Sequence, residues 1–224
     1  MTGTLLSLGH GYVSTALAQA LAAAGGWRVI GTTRSPERAA AQAAGGVQMC
    51  HWPGEGGQAG PLGPALEAAT HLLVSLPPGP EGDPALQALG PALRAARHLR
   101  WVGYLSSTGV YGDTGGAWVN EETPPAPSSA RGRARLAAEA GWLDTGLAVH
   151  VFRLSGIYGP GRAPFAGLRA GTARAILKPG HVFNRIHVSD IVQVLAASIA
   201  RPAPGRLYNL ADDLPAPPQD VLAY

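Results

Sequence analysis

The segment Gly9-His10-Gly11-Tyr12-Val13-Ser14 has the residue types of a turn that accepts a diphosphate. Gly9 allows a tight turn, and Gly11 lets backbone approach an anion with no Cβ in the way. A helix beginning there offers free N–H groups and the positive end of its dipole. Ser14 stands where such fingerprints carry a third glycine and is small enough for close helix–strand packing. The competing reading is a glycine-rich connection that binds nothing, in a chain with 31 glycines. An NAD-preferring site carries Asp or Glu about 20 residues past the glycines, for the ribose 2′-hydroxyl. No acid occurs between Gly9 and Glu37; Arg34 stands 25 positions after Gly9, and Arg38 follows one helical turn on. A guanidinium can hold a 2′-phosphate bidentately. NADP is therefore the expected cofactor, with NAD as the alternative; the plain reading of Arg34 is a surface residue that opens a helix.

The elements around this turn give it meaning. Apolar runs at Leu5–Leu8, Trp27–Gly31, Val47–Met49, His71–Leu76, Trp101–Ser106, Ala148–Leu154 and Arg206–Leu210 read as strands. Helical patterns lie near Ser14–Ala24, Pro36–Ala44, Leu62–Ala69, Pro84–Leu99, Ala130–Asp144 and Ser189–Ala200. This alternation predicts an α/β fold, a Rossmann doubly wound parallel sheet with helices on both faces. Residues 1–224 read as a single NAD(P)-binding domain, with a small loop-rich substrate lobe from about 112–129 and 159–186 and a helical patch at Ala166–Ile176. Pro215–Tyr224 resembles the opening of a further helix that then stops, so either the protein is short or a longer C-terminal part follows.

Composition narrows the partners. Apolar residues make up 46%, enough for a full core. The formal charge is +3, and the arginines are scattered with no aromatic interleaving, so neither nucleic acid nor membrane is an expected partner. Cys50 is the only cysteine, which excludes an intrachain disulfide and suits a cytoplasmic protein. The seven histidines are dispersed and no H-E-x-x-H occurs, so no metal site is expected. A small-molecule substrate is the expected partner, and a homodimer is the assembly considered.

Five ordered segments resemble the extended short-chain dehydrogenase/reductases of the epimerase/dehydratase branch. They are Leu105–Gly112 (LSSTGVYG), Asn120–Pro127 (NEETPPAP), Phe152–Arg162 (FRLSGIYGPGR), Arg185–Asp190 (RIHVSD) and Tyr208–Leu210 (YNL). His71–Leu76 with Pro77-Pro78-Gly79 and Gly82-Asp83-Pro84 is similar to the YeeZ-like group of atypical members. The resemblance implies a nucleotide-binding fold. It aligns Ser107 with the family's catalytic Ser/Thr, whereas the catalytic Tyr and Lys positions read Arg131 and Arg135. A guanidinium keeps its proton at working pH and cannot replace the Tyr as acid and base.

Ser107, Tyr111, Arg131 and Arg135 are the catalytic candidates. Ser107 serves equally well as a local cap, and Tyr111, like Tyr158, as a packing residue. Arg131 and Arg135 lie four apart on one helix face, which is otherwise a solvated basic face. The expected cofactor contacts are Gly9, Gly11, Tyr12, Val13, Ser14, Thr33, Arg34, Ser75, Leu76, Pro77, Ser106, Arg135, Leu154 and Ser155. Asp190 or Ser189 is the expected N-cap of its helix, His187 a structural histidine, and Glu121 and Glu122 solvated loop acids. Two functions follow: an NADP-dependent oxidoreductase or epimerase with non-standard acid/base residues, or a non-catalytic NADP-binding sensor or scaffold.

Overall fold

All seven apolar runs form strands of one sheet in the computed structural model, which describes residues 2–43, 46–54, 60–162, 171, 182–217 and 220. In chain order the strands are β1 (Gly3–Leu8), β2 (Trp27–Thr33), β3 (Gln48–His51), β4 (His71–Val74), β5 (Trp101–Ser107), β6 (Val149–Leu154), β7 (Gly156–Tyr158), β8 (Arg185–His187) and β9 (Leu207–Leu210). The large sheet runs β3-β2-β1-β4-β5-β6-β9, and every pairing in it is parallel. Covered on both faces, its central strands carry near-continuous apolar runs such as Leu72-Leu73-Val74, all fully buried. The short strands β7 and β8 pair in parallel by themselves.

Six helices are described: α1 (Tyr12–Ala24), α2 (Pro36–Ala43), α3 (Gly63–Ala68), α4 (Pro84–Ala95), α5 (Ala130–Leu143) and α6 (Val188–Ala200). Leu17 and Leu21 of α1 meet Ile191 and Leu195 of α6 in the core on one face of the sheet. Leu89 and Leu93 of α4 join Ala138 and Trp142 of α5 in the core on the other face. The fold is thus the doubly wound Rossmann arrangement. After β3 the chain returns to the far side of β1 to form β4. This switch opens a crevice at the carboxyl ends of β1 and β4, where ligands of such sheets bind.

Three expectations need adjustment. The helix expected to reach Leu99 ends at Ala95, because the chain turns there to bury Leu99 and enter β5. The cap of α6 is neither Ser189 nor Asp190: His187 Nδ1 accepts the Ser189 N–H at 3.3 Å, and Asp190 sits in the first turn. Residues 112–129 form a loop as expected; the patch at Ala166–Ile176, Gly171 apart, lies outside the described residues, as do residues 218–219 and 221–224 of the expected C-terminal helix opening.

Candidate functional site

The glycine turn sits at the carboxyl end of β1, held from two sides. Gly9 N–H donates to Thr32 Oγ1 at 2.8 Å, and His10 N–H to the Thr32 carbonyl at 2.8 Å. Gly9 has φ +79°, and a Cβ there would lie 2.8 Å from Leu76 Cδ2, so both conformation and space require glycine. Gly11 differs. Its φ of −108° is ordinary extended backbone, and a Cβ would meet nothing closer than the Gly9 carbonyl at 3.8 Å. Among the described residues, the space at the Gly11 Cβ position is open to a ligand.

Gly11 is the N-cap of α1, whose first intrahelical bond runs from Thr15 N–H to the Gly11 carbonyl at 2.8 Å. The N–H groups of Tyr12, Val13 and Ser14 precede that bond. No side chain caps them and no acid stands in the first turn. Val13 and Ser14 are buried, and Ser14 Oγ reaches back to the Gly9 carbonyl at 3.5 Å. Their backbones, not their side chains, are available to an anion.

Arg34 follows β2, exposed, with its carbonyl facing His51 Nε2 at 3.2 Å. Thr33 Oγ1 accepts the Ser35 N–H at 3.3 Å. Glu37 is occupied locally: Ser35 Oγ donates to it at 2.6 Å, and that bond leads the causes that hold its carboxyl below the usual range. Beyond β4, Ser75 N–H donates to the Leu8 carbonyl at 2.9 Å, Leu76 packs under Gly9, and Pro77 is exposed.

The β5 end and α5 hold the residues that resemble the family's catalytic set. Ser107 Oγ accepts the Gly109 N–H at 3.1 Å and caps the short 3₁₀ turn Thr108–Tyr111; its own proton stays available. Arg135 is half-buried, and its Nη1 lies 2.6 Å from the Leu105 carbonyl, 3.3 Å from Tyr104 Oη and 3.5 Å from the Leu76 carbonyl. It therefore ties α5 to the ends of β4 and β5. Arg131, one turn earlier, is exposed and has no partner among the described residues.

Two candidates belong to the interior instead. Tyr111 is 4% exposed, with its hydroxyl 2.9 Å from both the Asn120 carbonyl and Asn209 Oδ1, and it accepts from Arg153 Nη1 at 2.7 Å. A phenol so engaged has no face left for a substrate, so its role is structural. Ser106 Oγ donates to Glu139 Oε1 at 2.5 Å inside the core, which leaves only its backbone for a cofactor. Sequence reasoning missed the center of this network, the buried Arg153–Glu139 pair at 2.7 Å. The signal was an arginine within a buried apolar strand, since such a cation needs a partner. Glu121 is exposed in the loop as expected, and it also accepts the Asn209 N–H at 2.7 Å, pinning the long loop to β9.

Past β6, Leu154 is buried and its carbonyl faces Thr108 Oγ1 at 3.5 Å. Ser155 is buried as well, and its hydroxyl has no hydrogen-bond partner among the described residues. A buried orphan hydroxyl at a strand end beside the crevice fits a site that a ligand completes. Tyr158 lies farther out. Desolvation, then the hydrogen bond and charge of Asp212 and the charge of Asp190, raise its pKa, so it remains a protonated phenol. It borders a separate cleft of about 650 Å³ with Glu121, Asp190, Tyr208, Asp212 and Asp213, which touches none of the expected cofactor residues. Among the described residues no group of three or more His, Cys, Asp or Glu could hold a metal ion, and no helix is long and apolar enough to cross a membrane.

No model of a known protein family matches the chain. It is 33% identical over 156 residues to Protein YeeZ of Escherichia coli K12, a match covering 65% of this chain and 54% of that protein. The chain thus spans about half the length of the curated relatives it matches. The solved structure of a functionally unknown conserved protein from Silicibacter pomeroyi is 56% identical with a TM-score of 0.92, covering 100% of this chain and 77% of that one. A Methylobacillus flagellatus protein, provisionally named an NAD-dependent epimerase/dehydratase, is 28% identical with a TM-score of 0.76, covering 99% and 80%. DesIV of Streptomyces venezuelae, a dTDP-glucose 4,6-dehydratase solved with NAD and TYD bound, shares the fold at 19% identity and a TM-score of 0.82, covering 98% and 79%. With this sheet order and glycine turn, the chain is similar to YeeZ over the matched residues and shares the fold of solved NAD-dependent epimerase/dehydratase-type structures, as its sequence motifs imply.

Proposed function

We propose that this chain binds a nicotinamide dinucleotide across the β1–α1 turn, prefers NADP, and acts as an oxidoreductase or epimerase whose acid/base groups differ from those of its relatives. The observation that carries this reading is the open space over Gly11 beside three uncapped N–H groups at the sheet's switch point. Backbone N–H groups of Tyr12, Val13 and Ser14 would hold the diphosphate, and Arg34 a 2′-phosphate. Arg135 and Ser155 would border the nicotinamide end. The bound cofactor supplies hydride transfer, and the chain orients the substrate in the proposed lobe at 112–129 and 159–186. Ser107 retains a proton with which to hold a substrate oxygen.

A second reading, a cofactor-binding sensor or scaffold without catalysis, is favored by one feature. Tyr111 is locked in the interior, and Arg131 and Arg135 offer no proton at working pH. Cofactor oxidation across a panel of aldehydes, ketones and nucleotide sugars separates the two. The cofactor preference is tested by Arg34→Ala. It should weaken NADP more than NAD, by about 1.5–3 kcal/mol, as one charge-assisted contact is lost. A parent protein that binds NAD more tightly than NADP would refute the preference.

A further inference from the structure

The segment after β7 is fastened to the glycine turn by side chains 148 positions away. Tyr12, the first residue of α1, donates its hydroxyl to the Pro160 carbonyl at 3.0 Å. The Arg162 guanidinium lies over the Tyr12 ring, 5.7 Å from its centroid. A tight reversal places it there, closed by the Arg162 N–H donating to the Gly159 carbonyl at 2.9 Å. Gly159 permits the approach: its φ is +148°, and a Cβ would lie 2.6 Å from Tyr12 Oη and 2.8 Å from Val188 Cγ1. A second chain segment thus delivers a cation to the residue that opens the anion-binding helix end.

Arg162 is exposed and pairs with no carboxylate among the described residues. A guanidinium stacked on an aromatic face keeps its N–H edge free, and that edge matches a phosphate bidentately. We propose that Arg162 is a further phosphate contact of the bound dinucleotide, brought over the glycine turn by the segment after β7 with Tyr12 as its platform. The proposal rests on the cofactor reading above. It makes the diphosphate a bridge between the sheet and the segment assigned to the substrate lobe.

ADP-ribose is the probe, since it carries the diphosphate but neither nicotinamide nor 2′-phosphate, and so reports on Arg162 apart from Arg34. Calorimetric titration compares the parent with Arg162→Gln, Arg162→Lys and, as a control of equal charge, Arg201→Gln at the exposed end of α6. Arg162→Gln should bind roughly tenfold more weakly, with a flatter response from about 50 to about 500 mM KCl. Arg162→Lys, which keeps the charge but loses the fork, should fall between, and Arg201→Gln should stay within about twofold of the parent. Equal affinity and equal salt response in the parent and Arg162→Gln overturn the contact while leaving the cofactor site standing. An equal loss in Arg201→Gln overturns it too, since bulk charge would then explain the effect. A parent that binds neither ADP-ribose nor NADP overturns the cofactor reading and this contact with it.

Discussion

Glu139→Ala tests whether the buried network behind the site holds α5 in place. Glu139 and Arg153 are each 3% exposed at the side chain. Arg153 reaches the carboxylate through Nη2 at 2.7 Å and Nε at 3.1 and 3.3 Å, and Ser106 Oγ donates to the same group. Truncation leaves a buried guanidinium with Tyr111 as its remaining partner and a buried hydroxyl with none. Breaking a buried ion pair by removing one partner costs about 3–5 kcal/mol. Orphaning the Ser106 hydroxyl adds about 1 kcal/mol. The sum, about 4–6 kcal/mol, is a large share of the 5–15 kcal/mol, roughly, that holds such a domain together. Urea unfolding at pH 7 measures it, with a reversible two-state transition as the condition. The double variant Glu139→Leu/Arg153→Met removes both charges and should cost well under half as much, because no charge is left unpaired. A loss below about 1 kcal/mol for Glu139→Ala, or a double variant as unstable as the single, would refute the reasoning.

The other predictions concern acid and the altered helix. Burial, with the Arg100 charge, lowers the His71 pKa from 6.5 to about 4. Folded His71 thus favors the neutral form, and its contribution, complete above pH 6.5, fades as pH falls toward 4. His71→Phe should shrink the stability lost between pH 7 and 4.5 by about 2 kcal/mol, read from urea midpoints; an unchanged pH profile would contradict this. Arg131→Tyr with Arg135→Lys should leave the fold intact, with whatever stability is lost traced to Arg135, since that guanidinium bonds the Leu105 carbonyl and Arg131 bonds nothing described. A large fall in melting temperature for Arg131→Tyr alone would show that Arg131 is structural.

The sheet was legible because parallel strands buried on both faces must be apolar, as Leu5, Leu6, Leu72 and Leu73 are. The glycine turn was legible because its chemistry is local: a positive φ at Gly9 and an open approach at Gly11 are set within six residues. β7 and β8 were not, since three residues show no period. The fates of Tyr111 and Ser106 were hidden for another reason. Their hydroxyls are decided by Asn209, Arg153 and Glu139, partners that only the tertiary fold brings near. The cap of α6 misled because a His ring nitrogen did the work usually given to Ser or Asp.

Gly11→Val is the most direct test of the central claim, that this turn receives a dinucleotide. Gly11 has an extended backbone that valine adopts freely, and a Cβ there meets no protein atom closer than 3.8 Å. The substitution should therefore cost about 1 kcal/mol of stability at most, through the poorer helix cap. A branched side chain would nevertheless occupy the approach to the uncapped N–H groups, where the diphosphate must lie. Titration calorimetry with NADP should show clear binding by the parent and a loss of at least about 100-fold in a variant that melts normally. Equal affinity for NADP in the parent and in folded Gly11→Val would place the cofactor elsewhere and contradict the account.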